Sequence, residues 1–160
     1  MTMANSIEVN HKAPATFSGA VDDIIMLDHI QREKGRLKVT SRNGDEVCLF
    51  LERGQVLQCD EVLHSQCNRF IRVKLAKEEV VTARASSWPE FSRACYHLGN
   101  RHVRLQLGNL WLRFLPDPVL EGLMKHLGLE TVTEQAAFEP ESGAYGFGHS
   151  GKSSHHHDHE

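Results

Sequence analysis

The spacing of apolar residues changes period part-way along the chain. In the first half the period is two. In RLKVTSRNGDEVCLFL (36–51), Leu37 and Val39, then Val47, Leu49 and Leu51, alternate with other residues, and Asn43-Gly44-Asp45 lies between the two sets. Alternation puts one face of a strand into a core. Asn-Gly favours the positive backbone angles of a tight hairpin. IIML (24–27) is a further short apolar run, and RFIRVKLA (69–76) offers Phe70, Val73 and Leu75 as the apolar positions of another strand. Short strands with turns between them predict a small all-β barrel or sandwich over residues 1–77.

The second half alternates strand and helix patterns. EEVVTARA (78–85) predicts a strand, after which Ser86 or Ser87 caps a helix with Pro89 in its first turn, where a missing N–H costs nothing. Trp88, Phe91, Ala94, Cys95 and Leu98 recur three to four apart and predict one buried face, with Gly99 ending the helix. HVRLQLGNLWLRFL (102–115) predicts two strands with Gly108-Asn109 at the turn. A second helix starts near Asp117 with Pro118 in its first turn; Val119, Leu120, Leu123, Met124 and Leu127 form its stripe, and Gly128 stops it. LETVTEQ (129–135) predicts the last strand. The order β-α-β-β-α-β is the ferredoxin-like pattern, with both helices on one face of a four-stranded sheet.

The predicted class is therefore α+β: an N-terminal all-β domain (1–77), a ferredoxin-like βαββαβ domain (78–146), and a histidine-rich C-terminal tail (147–160). The tail is rich in Gly, Ser, acids and His. It has too little apolar area to offset its ordering entropy and is predicted to be disordered.

Composition narrows the function. The chain has 160 residues, enough for one domain or two small ones, and a formal net charge of -3. That charge argues against general affinity for nucleic acid or an anionic membrane. From Gly128 onward there are six acids and one base, a net of -5 that leaves +2 for the remainder. MTMANSIEVNHKAPATF shows no secretory pattern, and no apolar run is long enough to cross a bilayer. The four cysteines (Cys48, Cys59, Cys67, Cys95) contain no C-x-x-C pair, so reduced thiols and a cytoplasmic location are expected.

Catalytic signals are weak. Cys95 and His97 stand two apart on a predicted helix and so face different ways. No G-x-S-x-G, P-loop or H-E-x-x-H occurs. Metal-binding signals are stronger. Five of the 11 histidines (His149, His155, His156, His157 and His159) lie in the last 12 residues, and imidazole suits Ni²⁺, Zn²⁺ and Cu²⁺. The run is broken by Asp158 and ends in Glu160, which favours a native tail over a purification tag. Cys59, His64 and Cys67 are possible zinc ligands at a spacing that matches no standard pattern; they serve equally well as ordinary residues of a β domain. His126 sits where a cation suits the negative end of a helix. His102 is one ligand by itself, but a two-fold dimer would duplicate it and set two imidazoles across the axis.

ACYHLGNRHVRLQ (94–106), LRFLPDPVLEGLMKHLGLETV (112–132) and AFEPESGAYG (137–146) closely resemble the UreE family of urease accessory nickel chaperones. RLKVTSRNGDEVCLFLERGQVLQCDEVL (36–63) resembles that family's β domain more loosely. The resemblance implies an N-terminal domain that contacts partners and a homodimer formed through the second domain. It implies His102 as the interfacial nickel ligand from each subunit, with tail histidines adding donors. The implied partners are the urease apoprotein, which receives Ni²⁺, and the urease accessory GTPase. Some relatives carry extra histidines before the second helix. Here that stretch reads Leu115-Pro116-Asp117-Pro118, so the resemblance implies that this auxiliary site is absent. A metal buffer without a delivery role, or a ferredoxin-like RNA-binding module using Arg101, Arg104 and Arg113, are the competing readings.

Overall fold

The computed structural model describes residues 5–142. Six strands of the first half form one sheet: β1 (Ser6–Lys12), β2 (Asp23–Leu27), β3 (Arg36–Thr40), β4 (Glu46–Phe50), β5 (Val62–Ser65) and β6 (Phe70–Leu75). Their order is β2-β6-β5-β1-β4-β3, with β1–β4 and β2–β6 parallel and the other neighbours antiparallel. The predicted alternation is present: Val47 and Leu49 are buried in β4, and Leu37 and Val39 pack partly buried against the same cluster. The turn after β3 is looser than a two-residue hairpin. Pairing closes with Ser41 N–H donating to the Asp45 carbonyl at 2.8 Å, and Gly44 takes the positive φ of 90°.

Alternation along the chain does not reveal β1 or β5. SIEVNHK has only Ile7 and Val9 as apolar residues, too few to stand out alone. Yet β1 lies between β4 and β5, where both apolar side chains are buried. Nor does it reveal a five-residue helix, α1 (His29–Glu33). Asp28 and Gln31 cap it reciprocally, each side chain accepting from the other residue's backbone N–H.

The second half follows the predicted order: β7 (Lys77–Arg84), α2 (Trp88–Asn100), β8 (Gln106–Leu107), β9 (Trp111–Phe114), α3 (Pro118–His126) and β10 (Glu130–Ala137). The sheet order β10-β7-β9-β8 is the ferredoxin-like arrangement. Ala94 and Leu98 of α2 and Leu120 and Met124 of α3 bury against Val81, Leu112 and Phe114. Ser87 caps α2, its hydroxyl accepting from Glu90 N–H, and Asp117 caps α3 by accepting from Val119 and Leu120 N–H.

The structure departs from the sequence expectation at three places. Trp88 and Val119, placed on the buried stripes, are 56% and 66% exposed. Both lie in the first turn of their helices. Gly99 does not end α2, which runs on to Asn100. The strand expected from residue 102 begins only at Gln106, because the intervening residues form the turn that closes α2.

The two halves are joined through α1. Buried His29 uses its backbone N–H and its Nδ1–H to donate to the two carboxylate oxygens of Glu78, at 3.0 and 2.6 Å. Its ring meets Phe138 edge-on. Buried Arg32 donates to the Phe138 carbonyl, and Arg104 grips Glu33 with two hydrogen bonds, at 2.5 and 3.1 Å. Among the described residues no helix is long and apolar enough to cross a membrane.

Candidate metal centre

His102 owes its position to the way α2 stops. Arg101 is the C-cap, and His102 follows with a φ of 56°, in the left-handed region that L-residues avoid. His102 N–H donates to the Gly99 carbonyl at 3.0 Å and Val103 N–H to the Leu98 carbonyl at 3.2 Å. That pair of bonds is a Schellman motif, usually built on glycine at the left-handed residue. The same motif ends α3, where Gly128 has φ 92° and donates to Lys125, and Leu129 donates to Met124. One helix thus ends on glycine and the other on a histidine. Val103 packs against the core below and holds the turn down, so the imidazole is presented outward on a rigid base.

His102 is exposed and lines a cleft of about 970 Å³ between the two halves. Arg32 and Glu33 of α1 line one side; Cys95, Arg104, Glu139 and Glu141 line the other. Cys95 is half-buried, and burial pushes its thiol up, away from the thiolate that a nucleophile or soft ligand needs. His97 is exposed beside Tyr96. Nothing here activates a Cys95–His97 pair.

Among the described residues, no three His, Cys, Asp or Glu side chains converge closely enough to hold a metal ion. Cys59, His64 and Cys67 are therefore not a zinc site. Cys59 bonds Asp60, Cys67 bonds Ser65, and His64 faces His11 and Asn68. Asp117 is occupied in capping α3. Of the predicted ligands only His102 lies in the described part; His149, His155, His156, His157 and His159 lie outside the described residues. Two of the three arginines of the expected basic surface are paired: Arg104 is held by Glu33, and Arg113 by Glu134, the Ala137 carbonyl and the face of Trp111. The His29–Glu78 joint carried no local sequence signal, because its partners are 49 residues apart.

The profile of the UreE urease accessory protein N-terminal domain matches residues 5–76, and that of its C-terminal domain matches residues 78–160. The chain belongs to the UreE family. Similar relatives, each named urease accessory protein UreE, come from Alteromonas mediterranea (50% identical, covering 87% of each chain), Marinomonas sp. (50% identical, 79% of this chain and 86% of the relative) and Vibrio parahaemolyticus (46% identical, 85% and 86%). UreE proteins are accessory proteins in urease maturation and not catalysts.

Proposed function

We propose that this UreE protein is a nickel metallochaperone that carries Ni²⁺ to the urease apoprotein, working beside the urease accessory GTPase. The observation that carries this reading is His102, an exposed imidazole on a left-handed turn with too few donors around it among the described residues to complete a metal shell. One imidazole binds weakly. A homodimer through residues 78–146 supplies a second one across the axis. Exposed Trp88, Tyr96 and Val119 on the helices of that half are apolar surface suited to such an interface. In this reading residues 1–77 contact partners, and the tail at 147–160 brings in His149, His155, His156, His157 and His159 as additional, exchangeable ligands. Zn²⁺ and Cu²⁺ compete for the same nitrogens, and preference for copper in a test tube follows from the general order of affinities alone.

Two interfacial imidazoles leave most of the shell of a six-coordinate ion to labile donors. The cargo is thereby bound by the protein yet remains transferable when a partner offers better ligands. Calorimetric Ni²⁺ titration of the intact chain, a chain ending at Gly148, and His102→Ala tests this. One tight ion per two chains is expected. It is lost in His102→Ala and kept on truncation, while weaker sites vanish with the tail. A tight site unchanged in His102→Ala would sink the interfacial model. If truncation abolished all binding, the tail would be the only metal grip and the protein a buffer. Imidazole ligates only when neutral, so affinity should fall as pH drops through about 6.5.

A further inference from the structure

A second pair of histidines lies in the other half of the molecule. His11 of β1 and His64 of β5 are cross-strand partners, directly after an irregularity in the β1–β5 register. His64 stands between buried Leu63 and Ser65, so its ring projects from the face opposite the core. His11 Nε2 and His64 Nδ1 are 3.0 Å apart. Two nitrogens bound to one metal at about 2.05 Å lie about 2.9 Å apart at a right angle and about 3.4 Å apart at the tetrahedral angle. In the metal-free rings this contact is a hydrogen bond, and its length also falls within the range of two nitrogens on one metal.

His64 is held as metal-binding histidines are held. Its Nε2–H donates to Asn68 Oδ1 at 2.8 Å, which leaves the Nδ1 lone pair of the neutral ring facing His11. Phe70 stacks on the ring at 4.5 Å and 6°, and Phe17 stacks on Phe70, which blocks rotation of the imidazole. Asn68 is itself set in a turn with φ 61°. An Asn-oriented, aromatic-stacked imidazole has lost its rotamer freedom before any ligand arrives. His11, by contrast, is exposed and can tip so that the two lone pairs converge. In doing so it exchanges its Nε2 proton for one on Nδ1 through solvent, with no net change of charge. The neighbouring cation, Lys12, is engaged by Glu61 at 3.0 Å.

We propose that His11 and His64 form a second, open site for a divalent late transition-metal ion on the outer face of the six-stranded sheet. Two imidazoles select borderline ions such as Ni²⁺, Cu²⁺ and Zn²⁺ over Mg²⁺ and Ca²⁺. No third protein donor converges there among the described residues, so water fills the other positions and exchange is rapid. The site is independent of His102 and of the nickel-delivery reading.

Imidazole ¹⁵N spectra of the full chain, titrated with diamagnetic Zn²⁺, test the proposal residue by residue. His11 Nε2 and His64 Nδ1 are expected to shift together, while His64 Nε2 keeps its proton. Half-saturation of the remaining ring should rise about tenfold or more in His11→Gln and in His64→Gln, because chelation becomes single ligation. Asn68→Ala should raise it about tenfold through loss of the orienting bond. Two outcomes overturn the site: both rings unmoved while other histidines fill, or one ring shifting equally well without its partner, which would make it an adventitious surface imidazole only. His102 is read separately in the same spectra, so failure at this pair leaves the nickel-delivery reading untouched. His11 is exposed, so His11→Gln is informative even if His64→Gln does not fold.

Discussion

His102 carries a conformational cost that its neighbours repay. A non-glycine residue at φ 56° costs about 1 kcal/mol relative to an ordinary backbone angle, and such strain gathers at functional positions. Stability and metal binding should therefore part company here. His102→Gly is expected to raise stability by up to about 1 kcal/mol in denaturant unfolding while removing the interfacial nickel site. If His102→Gly destabilised the fold, the imidazole would be contributing packing that its exposure does not suggest. None of this shows in ACYHLGNRHVRLQ read as a string. Gly99 looks like the natural helix stop, yet it sits within the last turn, and the histidine takes the left-handed angle two residues after the helix ends.

The two helices share one ending motif with different residues, and the contrast is itself testable. Gly128 has φ 92°, so Gly128→Ala should cost about 1 kcal/mol, opposite in sign to His102→Gly. Equal and small effects at both positions would argue that the turns relax freely. The helix starts were legible because capping is local: Ser87 with Pro89, and Asp117 with Pro118, act within a few residues. The strands β1 and β5 were not legible. A strand with two apolar positions becomes recognisable only when the sheet around it supplies partners, and β1 pairs with residues about 40 and 55 positions away.

The two halves meet through a small polar joint in which His29 and Arg32 are buried, which makes it sensitive to single changes at those two residues. Arg32→Met leaves the Phe138 carbonyl without its donor at about 1–3 kcal/mol. Thermal unfolding is expected to separate into two transitions as the halves uncouple. A single sharp transition at lower temperature would show that they still unfold together. Acid should weaken the whole molecule. Hydrogen bonding by Arg69 holds Asp45 below the ordinary carboxylate range, Lys74 does the same for Asp60, the Ser86 hydroxyl for Glu90, and Thr82 with Arg113 for Glu134. Because the folded values are lowered, the stability they contribute is present above about pH 4 and is lost as pH falls further through those values. Melting temperature followed from pH 6 down to about 2 should decline below about 4, and Asp45→Asn with Glu134→Gln should flatten that decline. An unchanged profile in the double variant would remove these pairs as its cause.

The choice of His102 as candidate ligand came from the resemblance to UreE proteins; the amino-acid pattern by itself determined the class of each half, the order β-α-β-β-α-β and the helix starts. These are local or periodic features, set by alternation, helical spacing and capping residues a few positions apart. Only the tertiary structure decided that His102 takes a left-handed angle, that Trp88 and Val119 face outward, that Glu78 is bound by His29, and that His11 comes within 3.0 Å of His64. The first two depend on how the helices end and begin, the last two on which elements become neighbours. That is settled by burying the two apolar clusters together, and residues 49 or 53 positions apart have no way of announcing it to one another along the chain.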